Sequence, residues 1–163
     1  MSKIAWLHLS DWYQKGKEFD RDVVRDALLK DIENRTAIAP ELEKIDFIIF
    51  SGDVARNGKK EEYEAAAEQL FEPLLEKTGV PQDRLFIVPG NHDPDRGMFD
   101  RLPQEIALPF RNCDSVNKWL ANEEYREDVL KPFFAFEKFV SNAPCILSIT
   151  DRKRLSPASS ITF

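Results

Sequence analysis

The chain has 163 residues, 42% of them hydrophobic and 32% charged, which suits one globular domain with its own core. A net charge of −6 argues against holding nucleic acid through bulk electrostatics, so an anionic phosphate ligand would need local positive charge, with metal ions the obvious source. Cys113 and Cys145 show no ligand-type spacing and no run approaches the roughly 20 apolar residues of a membrane span, so the expectation is a reduced, cytoplasmic protein without a membrane partner.

The first predicted element is a strand over Ile4 to Leu9, a short apolar run that meets Ser10-Asp11 at once. It is too short for the apolar core of a signal peptide. After a polar loop with Gly16, Val24, Leu28 and Ile32 recur every four residues, with Val23 and Ala27 beside them. That spacing predicts a helix with one buried stripe, capped by Asp20. Ile45 to Phe50 is nearly continuous in its apolarity, the mark of a strand covered on both faces. A Glu- and Ala-rich helix is predicted from about Lys60 to Lys77, with Gly79 as its C-cap and Pro73 kinking or dividing it. Leu85 to Val88 reads as the third strand. Strands alternating with helices give an α/β fold with a parallel βαβαβ sheet.

Beyond Asp93 the pattern changes. Residues 95–142 contain no good strand, and Trp119, Leu120, Val129, Phe133, Phe134, Phe136, Phe139 and Val140 suggest two or more helices, interrupted at Pro132. Residues 145–149 would suit a short fourth strand. The tail from 150 to 163 is expected to be irregular.

In an open parallel sheet, ligands gather outside the carboxyl ends of the strands. Asp11, Asp53 and Asn91 each fall just beyond such an end, one crossover apart. Three oxygen ligands brought to one rim are what a metal site requires. Gly52 lets the chain turn out of its strand to project Asp53, Gly58 closes the following loop, and Gly90 lets Asn91 and His92 sit side by side. A phosphate-cradling P-loop over Gly52 to Lys59 is excluded, because five residues separate the glycines and Lys60 replaces the hydroxyl residue. Asn91-His92-Asp93 also reads as an Asx-turn before a helix, with Asp93-Pro94 as turn chemistry. His8 has no partner at ligand spacing and reads as a packed or hydrogen-bonded structural residue.

Together, Ser10-Asp11-Trp12-Tyr13, Gly52-Asp53-Val54-Ala55-Arg56-Asn57-Gly58 and Gly90-Asn91-His92-Asp93 resemble the first three signature motifs of the calcineurin-like metallophosphoesterases. The resemblance implies hydrolysis of a phosphoester, of unstated class, with two divalent ions drawn from Mn, Fe, Zn or Mg. It implies that Asp11 binds the first ion, Asp53 bridges both and Asn91 binds the second. His92 would contact the phosphate and protonate the leaving oxygen, and Asp93 would orient that imidazole.

The chain departs from the family pattern in two ways. Tyr13 stands where the first motif has a metal-binding histidine, and no histidine follows His92, so the downstream Gly-His and Gly-His-x-His motifs are missing. A phenol titrates near about 10, so Tyr13 is a weak ligand at neutral pH. The expectation is a domain over residues 1–149 with a helical insertion at 95–142, forming the parallel half of a metallophosphoesterase sandwich. Impaired or absent turnover follows from the short ligand set. The exposed sheet face would be covered by the helices at 115–142, by a second copy, or by a missing C-terminal half. The alternatives are a non-catalytic pseudo-phosphoesterase that binds or interacts, and a truncated fragment.

Overall fold

The computed structural model describes residues 3–15, 19–99 and 121–142. Three strands, β1 (Trp6–Leu9), β2 (Phe47–Phe50) and β3 (Leu85–Ile87), form one parallel sheet in the order β1-β2-β3. The register pairs Leu9 with Phe50 and Phe50 with Ile87, so the three strands end level. Each is shorter than its apolar run. At the start of β1 the reason is chemical: the Asp46 carboxylate takes the Ala5 N–H at 3.0 Å, while the Asp46 N–H donates to the Ala5 carbonyl at 2.7 Å.

Helix α1 (Phe19–Glu33), the short α2 (Arg35–Ile38) and a 3-10 turn (Pro40–Glu43) connect β1 to β2. α1 opens at Phe19, so Asp20 lies inside its first turn and does not precede it as a cap. Its buried stripe is also rotated from the expected one. Ile32 is buried and Leu28 packs on the core, but Val23 and Val24 are more than half exposed. A four-residue repeat drifts around a 3.6-residue helix, and the packed face passes through Arg25, Leu28 and Ile32 instead.

Between β2 and β3 the chain forms α3 (Lys60–Ala66), a π turn (Ala67–Phe71) and α4 (Glu72–Thr78) as one continuous rod. Pro73 neither breaks nor divides it. Its ring would crowd the carbonyl four residues back, and the preceding turn widens so that the Glu72 N–H bonds to the Ala67 carbonyl. Gly79 ends the rod in the left-handed conformation, φ 68°, as the sequence predicts. A 3-10 turn (Gln82–Arg84) leads into β3. After β3 come α5 (Arg96–Phe99), α6 (Glu123–Leu130), a 3-10 turn (Lys131–Phe133) and α7 (Phe134–Asn142). The expected strand at 145–149, the tail from 150, Trp119, Leu120 and the Val129 side chain lie outside the described residues.

Right-handed crossovers that keep moving in one direction leave their helices on one face of a sheet. Here Ile48, Phe50, Leu85 and Ile87 are buried on that face with Tyr63, Leu70, Phe71 and Leu74. The opposite face carries an aromatic row. Trp6 stacks on Phe47 at 6.0 Å and Phe47 meets Phe86 edge-on at 6.1 Å, with Trp6 56% exposed. The both-face cover expected for β2 is therefore not found among the described residues, where burial along the strand alternates. Nor does α7 cover the bare face. Phe136 and Phe139 pack on Tyr63 at 5.9 and 5.3 Å, and Phe139 on Phe71 at 5.7 Å, adding a layer on the side already covered.

Candidate functional site

Past the strand ends, the loops after β1 and β2 continue side by side. Asp11 N–H donates to the Gly52 carbonyl at 3.1 Å, Tyr13 to Asp53 at 2.9 Å and Gln14 to Val54 at 2.8 Å, and Arg56 returns a bond to Gln14 at 3.1 Å. Asp11, Tyr13 and Asp53 have φ of 60°, 53° and 59°. These are the only non-glycine left-handed residues among those described, and all three belong to the motifs. Such conformations are costly, least so for Asp, and persist only where the surroundings enforce them.

The third loop lies directly on the second. A Cβ on Gly52 would come within 2.9 Å of the Gly90 backbone, and one on Gly90 within 2.1 Å of Asp53 Oδ1 and 2.6 Å of its amide nitrogen. Gly52 provides both a turn, with φ 108°, and close backbone approach, whereas at Gly90, which has no left-handed φ, close approach is the need. Asp53 is 6% exposed, and its Oδ1 accepts the His92 N–H at 2.8 Å.

The fastener of the second and third loops is Asp93, which is fully buried. Its Oδ2 accepts N–H groups from Gly90 at 2.7 Å, Asp53 at 2.8 Å and Val54 at 3.4 Å. Its Oδ1 accepts the Ala55 N–H at 3.0 Å and the Tyr63 hydroxyl at 3.0 Å. Burial pushes the Asp93 carboxyl above the ordinary range, against the downward pull of these donors. Burial and the neighbouring Asp93 charge likewise push the Tyr63 phenol up.

The expected role of Asp93 as the group that orients His92 is not what the geometry shows. The imidazole Nδ1 lies 3.1 Å from the Arg56 carbonyl, while the Asp93 carboxylate faces the amides of the other loops. A carbonyl only accepts, so Nδ1 carries the proton in that bond and Nε2 is the remaining nitrogen. The ring meets Tyr13 edge-on at 5.0 Å, and Arg96 Nη2 stands 3.4 Å from both ring nitrogens.

Tyr13 sits between the acids. Its hydroxyl donates to Asp11 Oδ1 at 2.7 Å, with the Asp53 carboxylate nearby. The two carboxylates hold the phenol well above its ordinary pKa. Hydrogen bonds from Ser10 and Tyr13, helped by the charge of His92, hold Asp11 below the carboxylate range. Asn91 is exposed, and its amide has no hydrogen bond among the described residues. His8 Nε2 lies 2.7 Å from Ser51 Oγ, an ordinary structural contact.

For a metal the fit is incomplete. No group of three or more His, Cys, Asp or Glu side chains able to hold an ion occurs among the described residues. Asp11, Asp53 and the Asn91 amide are the oxygen donors at hand, and a protonated phenol occupies the place between the acids where an imidazole nitrogen would be wanted.

Sequence reasoning missed three participants. Tyr63 lies inside a helix predicted from its apolar and Ala/Glu pattern, where nothing marks its hydroxyl as a partner for Asp93. The Arg56 carbonyl acts through backbone, which no residue identity reveals. Gln14, fully buried, joins Trp12 Nε1 to Gln69, and a polar residue after a strand reads only as loop.

Comparison with known proteins agrees with this architecture. The sequence model described as calcineurin-like phosphoesterase matches residues 6–157. The uncharacterized metallophosphoesterase-like protein YydB of Bacillus subtilis (strain 168) is 29% identical over 96 residues, 59% of this chain and 19% of that protein. The chain thus spans about a fifth of the length of this curated relative.

Proposed function

Because this chain belongs to the calcineurin-like phosphoesterase family, we propose that its strand-end rim is one half of a phosphoester-hydrolysing centre, impaired when it acts alone. The observation that supports the reading is the joining of the three motif loops, the first to the second through the Tyr13 N–H and the Asp53 carbonyl, and the second to the third through Asp93 and Asp53. Asp11, Asp53 and Asn91 would contribute oxygen ligands to divalent ions, manganese being the first to test. Such ions, when bound, supply Lewis-acid polarisation of a phosphoryl group. His92, fixed at Nδ1 by the Arg56 carbonyl, would present Nε2 to a leaving oxygen. Asp93 then serves as a positioning residue, holding the Asp53 loop against the His92 loop. The presence of only two cysteines, without ligand-type spacing, is the ground for proposing a cytoplasmic setting.

Impairment of this chain acting alone rests on Tyr13 and on residues 93–163 carrying no histidine. A second reading, a pseudo-phosphoesterase that binds phosphate without turnover, is favoured by the same phenol, because it donates its one proton to Asp11, an acid that a metal needs.

Isothermal titration with Mn²⁺, paired with hydrolysis of bis(p-nitrophenyl) phosphate, tests both. The wild-type chain is expected to show no micromolar Mn²⁺ binding and turnover near background. Tyr13→His should tighten Mn²⁺ binding by roughly tenfold or more, since a neutral imidazole replaces a protonated phenol. Micromolar binding with sustained turnover by the wild type would overturn the claim of impairment. Failure of Tyr13→His to gain affinity would move the decisive deficit to the absent downstream histidines.

A further inference from the structure

Resting on that reading of the rim as a phosphoester site, we propose that Arg96 is a specificity-determining residue that grips the non-bridging oxygens of the phosphoryl group beside His92. The Arg96 backbone is held in place from several sides. The Asp95 N–H donates to the Pro132 carbonyl at 2.7 Å, and the Met98 N–H donates to the Asp95 carbonyl at 2.9 Å. Three residues before Arg96, Asp93 is buried in its nest of amides. The side chain of Arg96 is exposed.

Its natural partner in sequence is already taken. The Asp95 carboxylate is bound by Lys59 Nζ at 2.6 and 2.8 Å, and Oδ1 also accepts the Gly97 N–H at 3.0 Å. Arg96 takes part in no ion pair among the described residues; its recorded contacts are the two 3.4 Å approaches to the His92 ring. A guanidinium has five N–H donors in a planar fork, and an imidazole edge can use at most one of them. The remaining donors have no acceptor among the described residues.

The placement has an electrostatic rationale. Asp11 and Asp53 make the far side of the rim acidic, and the chain as a whole carries −6. A phosphoryl group approaching His92 meets repulsion unless a fixed cation stands on the imidazole side. Arg96 is a cation at that place, and its fork matches two phosphate oxygens as a lysine cannot. The chemistry is shared by monoesters and diesters, since both offer two non-bridging oxygens.

The test is titration of the full chain with inorganic phosphate, methyl phosphate and dimethyl phosphate, followed by calorimetry, with Mn²⁺ and again with EDTA. Arg96→Ala, Arg96→Lys and Arg84→Ala are compared, the last removing the same charge at the opposite end of β3. Arg96→Ala should weaken inorganic phosphate binding roughly tenfold or more, Arg96→Lys should recover part of it, and Arg84→Ala should leave it within about twofold. A dimethyl phosphate response to Arg96→Ala as large as that of methyl phosphate assigns the grip to diesters as well; a response confined to methyl phosphate assigns it to monoesters. Equal losses in Arg96→Ala and Arg84→Ala would reduce the effect to net charge and overturn the assignment, leaving the phosphoester reading to the Mn²⁺ titration. Absence of phosphate binding by the wild type in both conditions would also overturn it. Unchanged thermal melting of the Arg96 variants checks that the exposed substitution leaves the fold intact.

Discussion

Gly90→Ala probes whether the three loops are truly stacked. Gly90 does not have a left-handed φ, so alanine carries no conformational penalty there and any effect is steric. The new Cβ would lie 2.1 Å from Asp53 Oδ1, 2.7 Å from Cγ and 2.6 Å from the amide nitrogen. The carboxylate could swing away, but the nitrogen is backbone, and ordinary contact begins at 3.4 Å. The two loops must therefore part by most of an ångström. Overpacking of this kind costs about 1–3 kcal/mol. Parting the loops also stretches the bonds from His92 N–H to Asp53 and from Asp53 N–H to Asp93, both 2.8 Å, at about 1 kcal/mol each. A total of roughly 3–5 kcal/mol corresponds to a Tm lowered by about 6–20 °C for a chain of this size. Differential scanning calorimetry measures it directly, with the His92 amide resonance reporting the local displacement. A Tm within about 2 °C of wild type, with that resonance unmoved, would show that the third loop does not rest on the second.

Two further predictions address other parts of the chain. Gly79→Ala places a side chain where nothing lies within 4 Å but φ is 68°, so the loss is purely conformational, about 1 kcal/mol and a few degrees in Tm. A loss as large as that of Gly90→Ala would contradict the distinction between steric and backbone causes. Asp46 is held below the ordinary carboxylate range by the Ala5 N–H first and then by Lys44. Below the unfolded value the unfolded chain binds the proton more readily, so this contribution is present above that value and disappears as pH falls through the folded pKa. Asp46→Asn should make the acid limb of the urea midpoint shallower; a limb of unchanged slope would remove Asp46 as its source.

Much of the molecule was legible from residue order because the signals are local. Apolar runs that stop at Asp11, Gly52 and Pro89 mark strand ends, and alternation with helical segments implies parallel pairing, as found. Gly79 announces its own cap, because few residues other than glycine occupy the left-handed region without strain. The candidate rim was legible for a related reason: hydrogen-bonding side chains placed just past parallel strands have one common edge to occupy.

What periodicity misjudged was everything that depends on a distant neighbour. Val24 reads as buried by spacing, yet which face of α1 is covered depends on where α4 lies against it. β2 reads as covered twice, yet the direction of successive crossovers puts every described helix contact with the sheet on one side. Pro73 reads as a break, yet a single widened turn absorbs it.

Residue identities and their order alone determined the strand-helix alternation, the three motif loops and the phenol at position 13, since each is a property of a short segment. Only the folded arrangement decided that Asp93 fastens loops and leaves His92 to a backbone carbonyl, that Tyr13 donates to Asp11, and that Arg96 has no carboxylate partner among the described residues. Those outcomes depend on which polar atoms meet across long sequence separations, and hydrogen bonds act over about 3 Å in space regardless of distance along the chain.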